Sequence, residues 1–418
     1  MNAIIAGLSY ANDRYDIDYS LNELKNLAET LDFVVVARFH QKKDKPDPKT
    51  YIGKGKLAEI KIAVTAYDAK MIIMNDELSA SQLRNIEAEL QINCIDRSYL
   101  ILKIFEARAN TKEAQLEIKL AKYLYLLPRV SYLREKESRS GGTSGALSSK
   151  GAGETQKELD KRHLMQQIYK IKDQLKKAEA IKENQIKKRK QNQIPMVALV
   201  GYTNAGKSSV MNTLLNHDKE KQVIEKDQLF STLSTYNRKI TYRKKEFILT
   251  DTIGFVSKLP TFLVHSFYQT LKEIEHADFI IHVIDASSNY FQEQIEVVRQ
   301  VLLTLKADSI PSLLLLNKQD LLQKEIFVLS ALPTLSFSNR TKLHVKELLD
   351  MIVSNIPPST VRAKFILPYT EGKQSHLLER TAYIYKKEYL DYGIYYDVEL
   401  PIHQYIQFKQ FDLENMVS

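Results

Sequence analysis

The residues most able to do chemistry are Gly201-Tyr202-Thr203-Asn204-Ala205-Gly206-Lys207-Ser208, a GxxxxGK[ST] spacing set between the apolar run Met196 to Val200 and a helical stretch, Ser209 to Leu215. In that context the glycines let backbone N–H groups face phosphate oxygens, and the helix N-terminus adds partial positive charge. Lys207 is placed to bridge β and γ phosphates, and the Ser208 hydroxyl to bind Mg²⁺. A second apolar run ends in Asp251-Thr252-Ile253-Gly254. Its carboxylate would hold the magnesium, through water, while the Gly254 amide senses the γ phosphate. A switch segment between these motifs must supply a further hydroxyl to the metal. Phe230-Ser231-Thr232-Leu233-Ser234 lies there, with Thr232 the first choice and Ser231 and Thr235 its competitors.

Base identity is read from Asn317-Lys318-Gln319-Asp320, which follows another apolar run. A carboxylate such as Asp320 accepts two hydrogen bonds from guanine N1 and N2, which adenine cannot supply. Sites built on such bonds reject a ligand lacking them by on the order of 10⁴-fold. Lys318 can lie along the base plane. Ser338-Asn339-Arg340 occupies the place of the last base-contacting loop, with Asn339 where a small Ala is usual in SAK. Together these motifs imply GTP binding and hydrolysis, with Lys207, Thr232 and Gly254 nearest the reacting phosphate. Phe255 stands where many GTPases carry a water-positioning glutamine. The intrinsic rate should therefore be low, the missing group coming in trans or from a glutamine elsewhere in the chain. Asn204 could coordinate a potassium ion in place of an arginine finger, or make an ordinary loop hydrogen bond.

The elements around these motifs suggest an α/β multidomain chain. Residues 1–110 alternate short apolar runs with helical stretches, which predicts a parallel sheet covered by helices. Within it, Tyr51-Ile-Gly-Lys-Gly-Lys56 reads as a tight turn before a helix at Leu57 more than as a phosphate loop. Residues 111–192 carry two heptad seams, Leu116, Leu120, Tyr123, Leu127 and Leu164, Ile168, Ile171, Leu175, Ala178, which predict an antiparallel helical hairpin. Its connection, Pro128 to about Glu154, is rich in glycine and carries Arg129, Arg134, Lys136, Arg139 and Lys150, the candidates for contact with a polyanionic partner. It is read as a probe, with a solvated linker as the rival. Residues 193–356 form the nucleotide-binding domain. Residues 357–418 predict a small α+β domain whose tyrosines serve packing.

Composition excludes several classes. With 44% hydrophobic and 27% charged residues the chain is neither disordered throughout nor fibrous, and no apolar run is long enough to span a membrane. Its start reads as a first strand and not an export signal. Cys94 is the single cysteine, which fits a small buried hydrophobe in a cytosolic chain. A net charge of +9 favours a polyanionic partner.

Several stretches beyond the nucleotide motifs carry a more specific signal. They are Tyr51-Ile-Gly-Lys-Gly-Lys56, Asn75-Asp-Glu-Leu-Ser79 with Ser81-Gln-Leu-Arg-Asn85, Leu126-Leu-Pro-Arg129, Gly151-Ala-Gly-Glu-Thr155 and the Phe230 to Leu233 switch. With them the chain resembles the HflX family of ribosome-associated GTPases over nearly its whole length. The resemblance implies a GTP-state binder of the 50S subunit whose glycine-rich loop reaches toward the peptidyl transferase centre, with Arg129, Arg134, Lys136, Arg139 and Lys150 as its rRNA contacts, and which splits stalled 70S ribosomes. It also implies a cytoplasmic, ribosome-associated protein, read as monomeric, with peripheral membrane contact left open. The alternative is a GTP-switched assembly factor for RNA or subunits, without splitting. Two departures stand out: Lys150 replaces the arginine usual before the GxGE segment, and Ser234-Thr-Tyr-Asn-Arg238 stands where the family tends to have Asp-Pro. The trigger, and any second nucleotide held through Lys54 and Lys56, stay open.

Overall fold

The computed structural model describes residues 1–10, 16–130, 150–216, 236–243, 245–252, 254–258, 262–263, 271–322, 328, 330–358 and 360–413. The first sheet is parallel, in the order β2 (Val34–Lys42), β1 (Asn2–Ser9), β3 (Met71–Met74), β4 (Asn93–Asp96). Side chains alternate along β1, so both of its faces must be covered. Ile4, Ala6 and Leu8 meet helices α2 (Lys54–Ala66) and α3 (Ala80–Leu90), while Ala3 and Ile5 meet α1 (Ile17–Glu29) and α4 (Arg97–Arg108). Local chemistry sets where these helices start. Ser79 and Gln82 form a reciprocal capping box on α3, and the Asp96 carboxylate accepts from the Tyr99 N–H at 2.8 Å to cap α4. The expected turn is shorter than read: Tyr51 takes a left-handed φ of 64°, Gly53 is the N-cap of α2, and Lys54, Gly55 and Lys56 already belong to the helix, which starts before Leu57.

Helix α5 (Lys112–Leu126) is buried on two sides. Ala114, Ile118, Ala121 and Tyr125 join the core of the first domain, while Leu116, Leu120, Tyr123 and Leu127 pack on Ile168, Ile171 and Leu175 of α6 (Lys150–Gln191). Glu113, at the start of α5, pairs with Lys182, late in α6, at 2.8 Å, as antiparallel packing requires. Helix α6 begins at Lys150, so Lys150, Gly151 and Gly153 belong to helical backbone and not to the connecting loop expected through Glu154. Arg134, Lys136 and Arg139 lie outside the described residues. The far end of α6 rests on the nucleotide-binding domain. Lys272 meets Glu179 at 2.7 Å, and Arg189 donates to the His276 carbonyl at 2.6 Å.

The second sheet runs β10 (Thr334–Ser336), β9 (Ser312–Asn317), β8 (Phe279–Asp285), β5 (Met196–Gly201), β7 (Lys245–Asp251), β6 (Tyr236–Tyr242), antiparallel only between the last two. One face packs on α7 (Lys207–Asn216) and α9 (Val345–Asn355). On the other face Ala198, Val200 and Ile280 join α8 (Phe291–Thr304) and the α1, α4 and α5 residues in one continuous apolar cluster. The first domain therefore shares a core with the nucleotide-binding domain.

The last sheet is antiparallel, in the order β11 (Thr360–Leu367), β13 (Gly393–Pro401), β12 (Tyr383–Leu390), packed on α10 (Gly372–Thr381) and α11 (Ile402–Phe408). Tyr396 is buried there, but Tyr383, Tyr385, Tyr389 and Tyr392 are 45 to 68% exposed, against the expectation that they pack. The reason is topological: three of them sit on the edge strand and the fourth in its turn, where no layer covers them. No helix among the described residues is long and apolar enough to cross a membrane.

Candidate active site

The phosphate loop joins β5 to α7 and rests on two glycines. A Cβ on Gly201 would sit 2.3 Å from the Val283 carbonyl oxygen. On Gly206, at φ +92°, it would sit 2.3 Å from Asn317 Nδ2. Asn204, at the tip of the turn, is exposed and left-handed, a conformation asparagine tolerates. Lys207 is buried and donates to the carbonyls of Gly201 at 3.1 Å and Tyr202 at 2.9 Å. Burial pushes its ammonium down to about 8, with Asp251 opposing the shift.

The second motif closes over this loop. The Ser208 hydroxyl donates to Asp251 Oδ2 at 2.7 Å, so a hydroxyl and a carboxylate converge as a hard oxygen pair of the kind Mg²⁺ prefers. Thr252 anchors the strand end by donating to the Leu199 carbonyl at 2.7 Å. Phe255 is zipped to the phosphate loop: its N–H donates to the Gly201 carbonyl at 3.2 Å and its carbonyl accepts from Thr203 at 2.8 Å. A Cβ on Gly254 would lie 2.8 Å from Thr203 Cγ2 and 3.0 Å from Lys207 Nζ, so only glycine brings its backbone this close to the lysine. The Phe255 ring is buried in the interdomain cluster and cannot orient a water. Ile253 and Phe230-Ser231-Thr232-Leu233-Ser234 lie outside the described residues.

The base-reading segments converge from the ends of β9 and β10. Asn317 is buried and donates from Nδ2 to the Ala205 carbonyl at 2.8 Å, tying this segment to the phosphate loop. Lys318 is left-handed, at φ 65°, and its Nζ meets Asp285 at 2.8 Å. Gln319 hydrogen-bonds through its backbone to the Phe337 carbonyl at 3.2 Å. Asp320 is exposed, with Oδ1 held by the Ser338 hydroxyl at 2.6 Å. Asn339 reaches Asn317 and Thr213, while Arg340 points to the surface.

One expected contact residue is placed elsewhere. Arg129 is buried, donating to the carbonyls of Tyr125 at 2.8 Å and Leu78 at 2.5 Å and stacking 3.8 Å from the Tyr125 ring centre. Those contacts make it a strut of the first domain, not an arm offered to rRNA. Asp96 lies 3.7 Å from it, and burial pushes that carboxyl up to about 6.

Glu23, Arg97 and Ser257 went unnoticed in the sequence, and Tyr202 was read only as part of the phosphate loop; the four meet in one network. Glu23 of α1 accepts from the Tyr202 hydroxyl, the Ser257 hydroxyl and the Arg97 guanidinium. Arg97 also donates to the Ser257 carbonyl at 3.2 Å and to Asn75 at 3.1 Å. All four are buried, so a charged network ties α1 and α4 to the phosphate loop and to the segment after Gly254. Nothing in their spacing marks them, because residues 23, 97, 202 and 257 meet only in the fold.

Three family models match in series: GTP-binding GTPase N-terminal over residues 18–106, GTP-binding GTPase Middle Region over 108–189, and 50S ribosome-binding GTPase over 196–318. GTPase HflX of Caldanaerobacter subterraneus is 39% identical over 376 residues, covering 90% of this chain and 86% of its own. The chain belongs to the HflX family of GTPases. GTPase HflX of Escherichia coli K12 is 38% identical over 323 residues, covering 77% of this chain and 74% of its own. Among solved structures, the SsGBP and GDP complex aligns with a TM-score of 0.49 and 24% identity, covering 85% of this chain and 98% of that one. As an HflX GTPase the chain binds and hydrolyses GTP, in a family of P-loop GTPases that generally works with Mg²⁺.

Proposed function

We propose that this HflX GTPase binds the 50S subunit in its GTP state and promotes dissociation of stalled 70S ribosomes, with hydrolysis releasing it. The observation that carries the reading is the charge of α6. That helix holds 13 Lys and Arg against 6 Asp and Glu, most of the chain's net +9. At 42 residues it spans about 63 Å at 1.5 Å per residue, and it follows directly on segment 131–149, which carries Arg134, Lys136 and Arg139. A rigid basic rod joined to a nucleotide switch suits attachment to rRNA phosphates.

In the reaction, Lys207 neutralises the β and γ phosphates, the Gly254 amide meets the γ phosphate, and Asp320 reads guanine. Ser208 and Thr232 would hold Mg²⁺, with Asp251 acting through water; the metal supplies charge neutralisation at the transferring phosphate. Asn204 would take a K⁺ ion, which predicts faster turnover in potassium than in sodium. Since Phe255 positions no water, the ribosome completes the site.

The test is sedimentation of 70S ribosomes with the intact chain and a non-hydrolysable GTP analogue or GDP. Splitting with the analogue is expected, whereas binding without splitting returns the assembly-factor reading. Shortening residues 141–149 should keep GDP binding and lose splitting. Replacing Arg134, Lys136 and Arg139 with alanine should flatten the salt dependence of 50S binding, by roughly 0.7 to 0.9 in log-log slope per lost phosphate contact.

A further inference from the structure

The residue that departs from the usual last base-contacting loop makes contacts that an alanine could not. Asn339 Nδ2 donates to Asn317 Oδ1 at 3.2 Å, and its Oδ1 accepts from the Thr213 hydroxyl of α7 at 3.0 Å. Asn317 in turn donates to the Ala205 carbonyl at 2.8 Å. The carbonyl at the end of this relay can only accept, and that settles the direction of every bond in it. Asn317 must present its NH₂ to Ala205, so its oxygen faces position 339; Asn339 must present its NH₂ there, so its own oxygen faces Thr213. Gly206 leaves the room for this arrangement, since a Cβ there would lie 2.3 Å from Asn317 Nδ2 and 3.4 Å from Asn339 Nδ2.

We propose that Asn339 is a positioning residue for the nucleotide base, locking the Asn317 amide so that its second N–H is held toward N7 of the purine. This inference rests on the reading that Asn317 and Asp320 receive guanine. With alanine at 339, Asn317 Oδ1 would lose its donor and the amide could turn over. A flipped amide would set oxygen against the Ala205 carbonyl and withdraw the N–H from the base. Asp320 sets guanine against adenine; Asn339, by contrast, sharpens the hold on N7, which every purine carries. Through Thr213 and Ala205 it also ties the base loop to the helix and loop that carry the phosphates.

The experiment compares the affinity of the intact chain for GDP and for 7-deazaguanosine diphosphate, which lacks the N7 acceptor. One well-held hydrogen bond predicts about tenfold tighter binding of GDP. Asn339→Ala should bring that ratio down to about two- or threefold through loss of GDP affinity. Asn339→Asp keeps the acceptor for Thr213 but attracts the Asn317 N–H, so the ratio should fall to about one. Thr213→Val should act like Asn339→Ala, and the double variant Thr213→Val/Asn339→Ala should add nothing to it. A ratio that stays near tenfold in the Asn339 variants overturns the proposal. So does an equal loss for both nucleotides, which would mark a structural role only, and so does an intact chain that does not distinguish them. Thermal melting checks folding, and Asn339→Ala decides the matter if Asn339→Asp does not fold. Asp320→Asn separates the two readings. If that variant binds GDP unchanged, the guanine reading itself fails; if it loses GDP while the Asn339 variants keep their ratio, only the Asn339 inference fails.

Discussion

Nucleotide binding should take up protons at mildly alkaline pH, because burial holds the Lys207 ammonium down to about 8. The β-phosphate oxygens of GDP beside that ammonium would restore its ordinary value, near 10.4. The folded, nucleotide-free pKa is then the lower of the two. Affinity is complete below pH 8 and is lost as pH rises through it. With one linked proton the loss is about twofold at pH 8 and about tenfold at pH 9, with roughly half a proton taken up per nucleotide at pH 8. Calorimetric titration of GDP between pH 7.5 and 9.5, in buffers of different ionisation enthalpy, measures both quantities where the phosphates are already fully ionised. Lys207→Arg, which stays charged, should bind GDP at whatever strength it retains with no such slope. A flat affinity through pH 9 with no proton uptake would refute the reasoning, and with it the idea that a desolvated Lys207 awaits the phosphates.

Glu23→Ala leaves Arg97 buried without its carboxylate, and should cost about 3 to 5 kcal/mol of unfolding free energy in denaturant titration; a loss under about 1 kcal/mol would mean that water reaches the network. Gly206→Ala should remove measurable GDP binding while circular dichroism stays unchanged, since its φ of +92° and the contact with Asn317 admit no side chain. Asp320→Asn should move preference toward xanthine nucleotides in competition binding, because an amide donates where the carboxylate accepted. His282 is buried and held down to about 3, by burial first and by Lys207 second, so it folds neutral. Its contribution to stability is present above pH 6.5 and lost as pH falls from there toward 3. The melting temperature should drop with acid in that window, less steeply in His282→Gln.

Chemistry that needs neighbours in sequence was legible in the residues themselves. The Gly201 to Ser208 loop, Asp251 with Gly254, and Asn317 with Asp320 each follow an apolar run, because the carboxyl ends of parallel strands bring loops to one edge of a sheet. Strand Met71–Met74 and the heptad seams on α5 and α6 were equally readable, since a short unbroken apolar run and a 3.5-residue period are local properties of the sequence. The sheet order and the sharing of one core between domains were not, because they depend on which faces find each other. Tertiary structure alone turned Arg129 inward toward Leu78 and Tyr125, left the β12 tyrosines uncovered on an edge, and continued the helix back to Lys150. It alone assembled Glu23, Arg97, Tyr202 and Ser257, and set Asn339 against Asn317 and Thr213. A side chain's type says what bonds it can make, whereas its partners depend on burial and on contacts between distant residues, such as Glu23 and Ser257, 234 positions apart, which no local pattern carries.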